Sequence, residues 1–225
     1  MSYFIKRFSF IVASLFITAT PAQAIPIGID NASFENPYLN DNQGAYFVPG
    51  WNVVAPGGQT TNITNPNFYA LNQYEIDGRN VLLAAGGEYT YQQLGSTLEA
   101  NTQYSLSVDV GAFRSSSISD PGAFWAGYGV QLWAGGTLLA EDNSLLNPEL
   151  SQFDTSMISY LASADDALLG ELLQIRLFSL DTGTGFKFAA FDNVMLDATS
   201  VSVPEPSSLL LLTSGLLGFG VIRRS

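Results

Sequence analysis

Apolar and polar residues alternate with period two along several stretches in the middle of the chain. Tyr104, Leu106, Val108 and Val110 alternate with Ser105, Ser107 and Asp109. Tyr128, Val130 and Leu132 alternate with Gly129, Gln131 and Trp133, and Leu173, Ile175 and Leu177 with Gln174, Arg176 and Phe178. Successive side chains of a strand point to opposite faces, so the pattern predicts antiparallel strands with one face on a core. Turn chemistry separates them: Pro49-Gly50, Pro56-Gly57-Gly58, Asp77-Gly78, Gly86-Gly87, Pro121-Gly122, Gly135-Gly136 and Asp181-Thr182-Gly183. No amphipathic helix of useful length appears, and Asp165–Leu173 reads as one short turn. Many short strands predict an all-β fold. At the length between Ile25 and Val201, a jelly-roll β-sandwich is favoured over an immunoglobulin-like domain.

The two ends follow different rules. Lys6 and Arg7 precede an apolar stretch from Phe8 to Ala19, and Ala22-Gln23-Ala24 places small residues where a signal peptidase reads. Residues 1–24 therefore read as a signal peptide, a helix removed on export. At the other end stand Pro204, Glu205 and Pro206, an uncharged run from Ser207 to Ile222, then Arg223, Arg224 and Ser225. The run would be roughly 24 Å long as a helix, short of a hydrocarbon core about 30 Å thick. Three glycines weaken it further, and the arginine pair belongs on the cytoplasmic side. The two prolines leave an extended segment accessible to a processing enzyme.

This tail resembles the PEP-CTERM protein-sorting signal of Gram-negative bacteria that make exopolysaccharide. The resemblance implies export, a transient stay of the C-terminal segment in the inner membrane, and processing near Pro204–Pro206 by an exosortase-type enzyme. Three segments result: the signal peptide 1–24, a domain at 25–201, and the sorting signal 202–225. The destination expected is the cell surface or extracellular matrix.

Charge and composition narrow what the domain can do. Arg79, Arg114, Arg176 and Lys187 stand against nineteen carboxylates between Ile25 and Val201, a net charge of −15. Nucleic acid and anionic lipid both need a positive surface, so neither is expected as a partner. Solubility outside the cell, a divalent cation or a neutral glycan suits an acidic surface. The chain has no cysteine, so an exported domain must hold together through its core or a metal. It has no histidine either, which removes Ser-His-Asp and Cys-His nucleophile systems and the usual ligands of catalytic zinc.

Ile29-Asp30-Asn31-Ala32-Ser33-Phe34-Glu35, then Pro49-Gly50-Trp51, the stretch Asn101 to Val110 and Phe191-Asp192-Asn193-Val194-Met195-Leu196 form a further series. It resembles galactose-binding-like jelly rolls, among them carbohydrate-binding modules. Asp192 shares parity with Val194 and Leu196, which points it toward the core unless a bulge intervenes. A buried carboxylate must be paired, hydrogen-bonded or bound to metal. The resemblance implies that Glu35 and Asp192 meet around a structural Ca²⁺, with backbone carbonyls completing six to eight oxygens. The alternatives are that Asp192 caps backbone amides at a strand end or pairs with Arg79.

Trp51 reads as core. Trp133 falls on the polar phase of its strand, and Trp125 follows the Ser/Gly-rich stretch Arg114–Gly122; both are candidates for stacking on a sugar ring, with partial burial as the plain alternative. The function expected is therefore carbohydrate binding, with exopolysaccharide as partner, and no enzymatic activity. A purely structural matrix protein is the alternative. A carboxylate-based glycan hydrolase or lyase drawing on Glu75, Asp77, Glu88 or Asp120 is the third.

Overall fold

The computed structural model describes residues 23–41, 43–55, 61–65, 77–85, 87–112, 125–149, 152–180 and 187–201. Most of the segment that reads as a signal peptide (1–22), the whole sorting signal with Pro204, Glu205, Pro206, Arg223 and Arg224, and the acids Glu75 and Asp120 lie outside the described residues. Twelve strands are described: β1 Ala24–Ile27, β2 Gly44–Ala45, β3 Asn52–Val54, β4 Asn62–Thr64, β5 Val81–Ala85 and β6 Tyr89–Thr97. They continue as β7 Thr102–Ala112, β8 Tyr128–Ala134, β9 Thr137–Asp142, β10 Phe153–Ala162, β11 Leu172–Ser179 and β12 Phe188–Ser200. Among the described residues no helix is long and apolar enough to cross a membrane.

The strands form two antiparallel sheets packed as a sandwich. One runs in the order β10-β7-β12-β5-β4-β2, with β1 also paired to β12. The other runs β3-β6-β11-β8-β9. The fold is thus the all-β sandwich that the alternating pattern predicts, and its inward phase is the predicted one. Tyr104, Leu106, Val108 and Val110 of β7 meet Tyr128, Val130 and Leu132 of β8 and Leu173, Ile175 and Leu177 of β11 in one buried cluster. Leu172 is outside that phase, and the segment from Ser163 to Glu171 is a series of turns.

A second device ties the sheets together where the chain crosses between them. Asp142, at the end of β9, accepts hydrogen bonds from the Tyr128 hydroxyl on β8 at 2.7 Å and the Ser156 hydroxyl on β10 at 2.6 Å. Its other oxygen accepts the amides of Ser144 and Leu145 at 3.3 and 3.2 Å. The Tyr128 hydroxyl in turn accepts the amide of Leu146 at 3.0 Å. All three side chains are buried.

A bulge in β12 turns Asp192 away from the face that its parity predicts. Asp192 pairs with Asp109 on β7, but Met195 pairs with Ser107, so β12 carries one extra residue in between. Asn193 takes that bulge in a left-handed conformation, φ 48°. A bulge of this kind resets which face each later side chain occupies. Phe191 and Val194 both face the core, whereas Asp192 lies on the opposite face together with its partner Asp109. It is fully buried all the same, beneath the loop that follows Asp77.

Candidate functional site

Two places gather polar side chains on rigid strands, and they differ in what they leave available. The first is the Asp192 bulge. The Asp77 amide donates to Asp192 Oδ2 at 2.8 Å and the Asn193 amide to Oδ1 at 2.8 Å. Glu35 Oε1 accepts the amides of Arg79 and Asn80 at 2.8 and 2.7 Å. Glu35 and Asp192 therefore grip opposite ends of one tight turn. Gly78 sits within it at φ 86°, where an added Cβ would come within 2.6 Å of the Glu35 carboxyl carbon. Amide capping, one of the alternatives open from sequence, is what the hydrogen bonds describe. Arg79 instead lies 4.0 Å from Asp41 and over the Tyr38 ring. Burial pushes the Asp192 carboxyl up to about 8, with the charges of Asp77 and Glu35 adding and the two amides opposing. Among the described residues no three metal-ligating side chains come together.

The second place is the outer face of the five-stranded sheet. There the registers of β6, β11 and β8 set nine residues on a lattice. Tyr89, Phe178 and Gly129 form one rung, Tyr91, Arg176 and Gln131 the next, and Gln93, Gln174 and Trp133 the third. Gly129 leaves room for its neighbour: a Cβ there would lie 2.0 Å from the Phe178 ring. The result is a cavity of about 260 Å³ lined by Gly87, Tyr89, Gln131, Trp133, Arg176 and Phe178.

Hydrogen bonds fix this lining. Trp133 Nε1 donates to Gln131 Oε1 at 2.8 Å, and Gln131 Nε2 donates to Glu141 Oε1 at 2.6 Å. Arg176 Nε donates to Gln174 Oε1 at 2.5 Å. The guanidinium lies 3.7 Å from the Trp133 ring centroid and 5.4 Å from that of Tyr89. Such cation–π contacts orient both partners. Among the described residues, Tyr89 supplies the only hydroxyl of the lining side chains, and none of them is a carboxylate. A smaller cavity of about 150 Å³ at the β1–β12 seam is apolar apart from Asp197.

The residues named from sequence separate accordingly. Trp133 lines the larger cavity. Trp125 is half-buried, packs against the core and lies 6.1 Å from the Tyr128 ring, forming an isolated bridge to Phe188. Trp51 is core, its Nε1 donating to the Asp30 carbonyl at 3.0 Å. Of the acids proposed for glycan cleavage, Asp77 accepts the Ser33 hydroxyl and Glu88 is buried against the Thr61 amide. Sequence reasoning did not single out Tyr89, Tyr91, Arg176 or Phe178. Phe178 and Arg176 stood on the polar phase of a recognised strand beside Gln174, which was the available signal.

Comparison with known proteins bears on this geometry. Residues 25–197 match the HpiC1-like family, described as HpiC1 cyclase. The chain belongs to the HpiC1-like cyclase family. Residues 202–224 match the PEP-CTERM protein-sorting motif, which marks an exported protein and implies processing by an exosortase-type enzyme. Among solved structures, the Stig cyclase Fisc from Fischerella sp. TAU is 32% identical, with a TM-score of 0.67 over 80% of this chain and 100% of that one. That cyclase was solved with (3Z)-3-(1-methyl-2-pyrrolidinylidene)-3H-indole. A cyclase from the same source in complex with 4-(1H-indol-3-yl)butan-2-one is 31% identical, TM-score 0.67, over 80% and 100%. An apo cyclase from Fischerella sp. is 30% identical, TM-score 0.68, over 80% and 98%. Carbohydrate-binding modules are also neighbours, CBM4 at 17% identity and TM-score 0.45 over 76% and 99%. CBM15 follows at 12% and 0.43 over 81% and 100%. No curated protein sequence matches the chain.

Membership of an HpiC1-like cyclase family overturns the expectation of a protein without enzymatic activity, because the related Stig cyclases are enzymes. The expectation rested on missing histidine and cysteine and on only four basic residues in the domain. That argument excludes particular nucleophiles and metal sites, but not catalysis by holding a flexible substrate in a reactive conformation. Ring closure within one molecule is a reaction of that kind.

Proposed function

We propose that this protein is an exported cyclase whose substrate carries an aromatic ring and sits in the cavity formed by Tyr89, Gln131, Trp133, Arg176 and Phe178. The observation that carries the reading is similarity, over 80% of this chain and the whole of theirs, to cyclases solved with indole-bearing ligands, together with an aromatic cavity on three paired strands. The aromatic walls would exclude water and fold the substrate, and the Tyr89 hydroxyl is placed to donate a hydrogen bond. After export and tail processing, the enzyme would work at the cell surface or in the matrix. The full-length protein should gain thermal stability with 4-(1H-indol-3-yl)butan-2-one, since a ligand of the native state stabilises by mass action. With metabolites extracted from the producing cell, chromatography with mass spectrometry should show conversion to isomers of unchanged mass. Absence of both effects would sink the cyclase reading.

A second reading keeps the same face as a glycan-binding surface, supported by the row of outward aromatics Tyr89, Tyr91 and Trp133. Glycan binding with no isomer formed would favour it.

Calcium at Glu35 and Asp192 is a separate proposal. Amides already use both Asp192 oxygens and Glu35 Oε1, so backbone carbonyls would have to supply most of the ion's six to eight ligands. What supports it is the cost of Asp192's charge beside Asp77 and Glu35, which a cation would offset. In chelator, the folded state holds one proton more than the unfolded chain between roughly pH 4 and the folded value of about 8. The contribution of Asp192 is then greatest near pH 4 and falls, by at most about 1.4 kcal/mol per pH unit, as pH rises through that window. Calcium should raise the melting temperature at pH 8 and flatten this slope, and Asp192→Asn should abolish both effects. A melt and slope indifferent to calcium would remove the metal proposal.

A further inference from the structure

The face of Trp133 that a substrate ring would stack on is already covered. The Arg176 guanidinium lies over it, with Cζ 3.7 Å from the ring centroid. We propose that the cavity selects a ring-bearing organic anion, and that Arg176 is the residue that determines this specificity. The inference rests on reading the cavity as the substrate site, and it names the class of substrate.

Arg176 occupies the centre of the lattice, on β11 between Tyr91 and Gln131. Its Nε is committed to Gln174, which fixes the plane of the guanidinium. Stacking uses the faces of that plane and leaves the Nη edge, whose N–H groups match the two oxygens of a carboxylate. Glu141, a carboxylate on β9 two strands from Arg176, is engaged by Gln131. No ion pair joins Arg176 to a carboxylate among the described residues; the pair described is Arg79–Asp41. The chain carries 20 acidic and 8 basic residues, so most arginines would find an acid close by. An arginine with no acid paired to it among the described residues, oriented by an amide and backed by an indole, is arranged to receive an anion from outside. Phe178 and Tyr89 flank it and offer the ring a wall.

A cavity of about 260 Å³ suits a bicyclic ring with a short acidic chain rather than a polymer.

Calorimetric titration of the full-length protein with indole-3-propionate and with neutral 4-(1H-indol-3-yl)butan-2-one, in which a methyl group replaces one carboxylate oxygen, tests this. Both carry the same ring and differ in charge. The carboxylate is expected to bind about tenfold more tightly, the least that a charge-assisted pair of hydrogen bonds should give. Arg176→Gln should erase the preference, bringing the two ligands within about twofold of each other, and Arg176→Lys should restore part of it. Equal affinities in the unaltered protein overturn anion selection while leaving the cavity as a substrate site. Binding of neither ligand overturns both readings. A preference that survives Arg176→Gln overturns the role of Arg176. The comparison of ligands in the unaltered protein stands even if a variant fails to fold.

Discussion

Asp142→Ala is expected to destabilise the fold by about 3–5 kcal/mol, the usual cost of removing one partner from a buried charged network. Truncation leaves the hydroxyls of Tyr128 and Ser156 and the amides of Ser144 and Leu145 without their acceptor. The damage crosses the sandwich, because Tyr128 belongs to one sheet and Ser156 to the other. For a domain of this size, a loss of 3 kcal/mol corresponds to a fall of about 6–12 °C in melting temperature. The pH dependence supplies a second signature. Burial alone would push the Asp142 carboxyl up, but the Ser156 and Tyr128 hydroxyls and the two amides outweigh it and hold the group below its ordinary value. A depressed value means that the stabilisation is present above the unfolded carboxylate range and is lost as pH falls through the folded value. Asp142→Asn should cost less than alanine and remove this acid-side loss. Urea melts between pH 3 and pH 7 would measure both, and an alanine variant within 1 kcal/mol of the parent would refute the latch.

Trp133→Ala should weaken binding of 4-(1H-indol-3-yl)butan-2-one by about thirtyfold, or roughly 2 kcal/mol, in the range of a central tryptophan in a binding site. The substitution removes the floor of the cavity and the platform that holds Arg176 in place. Stability should change far less, because the indole lies half-exposed on the outer face rather than in the core. Trp133→Phe keeps an aromatic face but loses the Nε1–H bond to Gln131, so its affinity should fall between the two. Titration alongside thermal melts separates the effects. An alanine variant that binds like the parent would place the ligand elsewhere.

Much of this architecture is written in the sequence wherever one face of a strand is apolar and the other is not. β7, β8 and β11 obey that rule, and their inward residues form the core. β6 does not. Its inward phase is Thr90, Gln92 and Leu94, while Tyr89 and Tyr91 face outward. The inversion works because Gln92 imitates a strand partner inside the fold: its amide group both accepts from the Asp30 amide and donates to the Asp30 carbonyl, each at 2.8 Å. No rule of hydrophobic period could find that pairing, since it joins residues 62 positions apart. Half of the aromatic cavity was hidden with it. Trp133 was visible because its strand was regular, and Arg176 was legible as an outward residue but not as the guanidinium stacked on that indole. The side of the sheet occupied by Asp192 was hidden for a different reason. A single bulge residue, Asn193, reverses the phase, and period-two reasoning cannot count a residue it has no means to see.

The pairing of β1 with β12 has a consequence for how the molecule assembles. Ala24 lies opposite Thr199 and Ile27 opposite Leu196, so the first strand of the domain is completed only by its last. A chain crossing a membrane from its N-terminus presents β1 long before β12, and must hold that segment unpaired until nearly all of the domain has followed. Closing so long a loop is slow, because its entropy is lost before any contact repays it. Assembly is therefore timed by the end of translocation: the sandwich can shut only as the residues immediately before the sorting tail arrive, and until then its opening strand is a free edge for chaperones or proteases to meet.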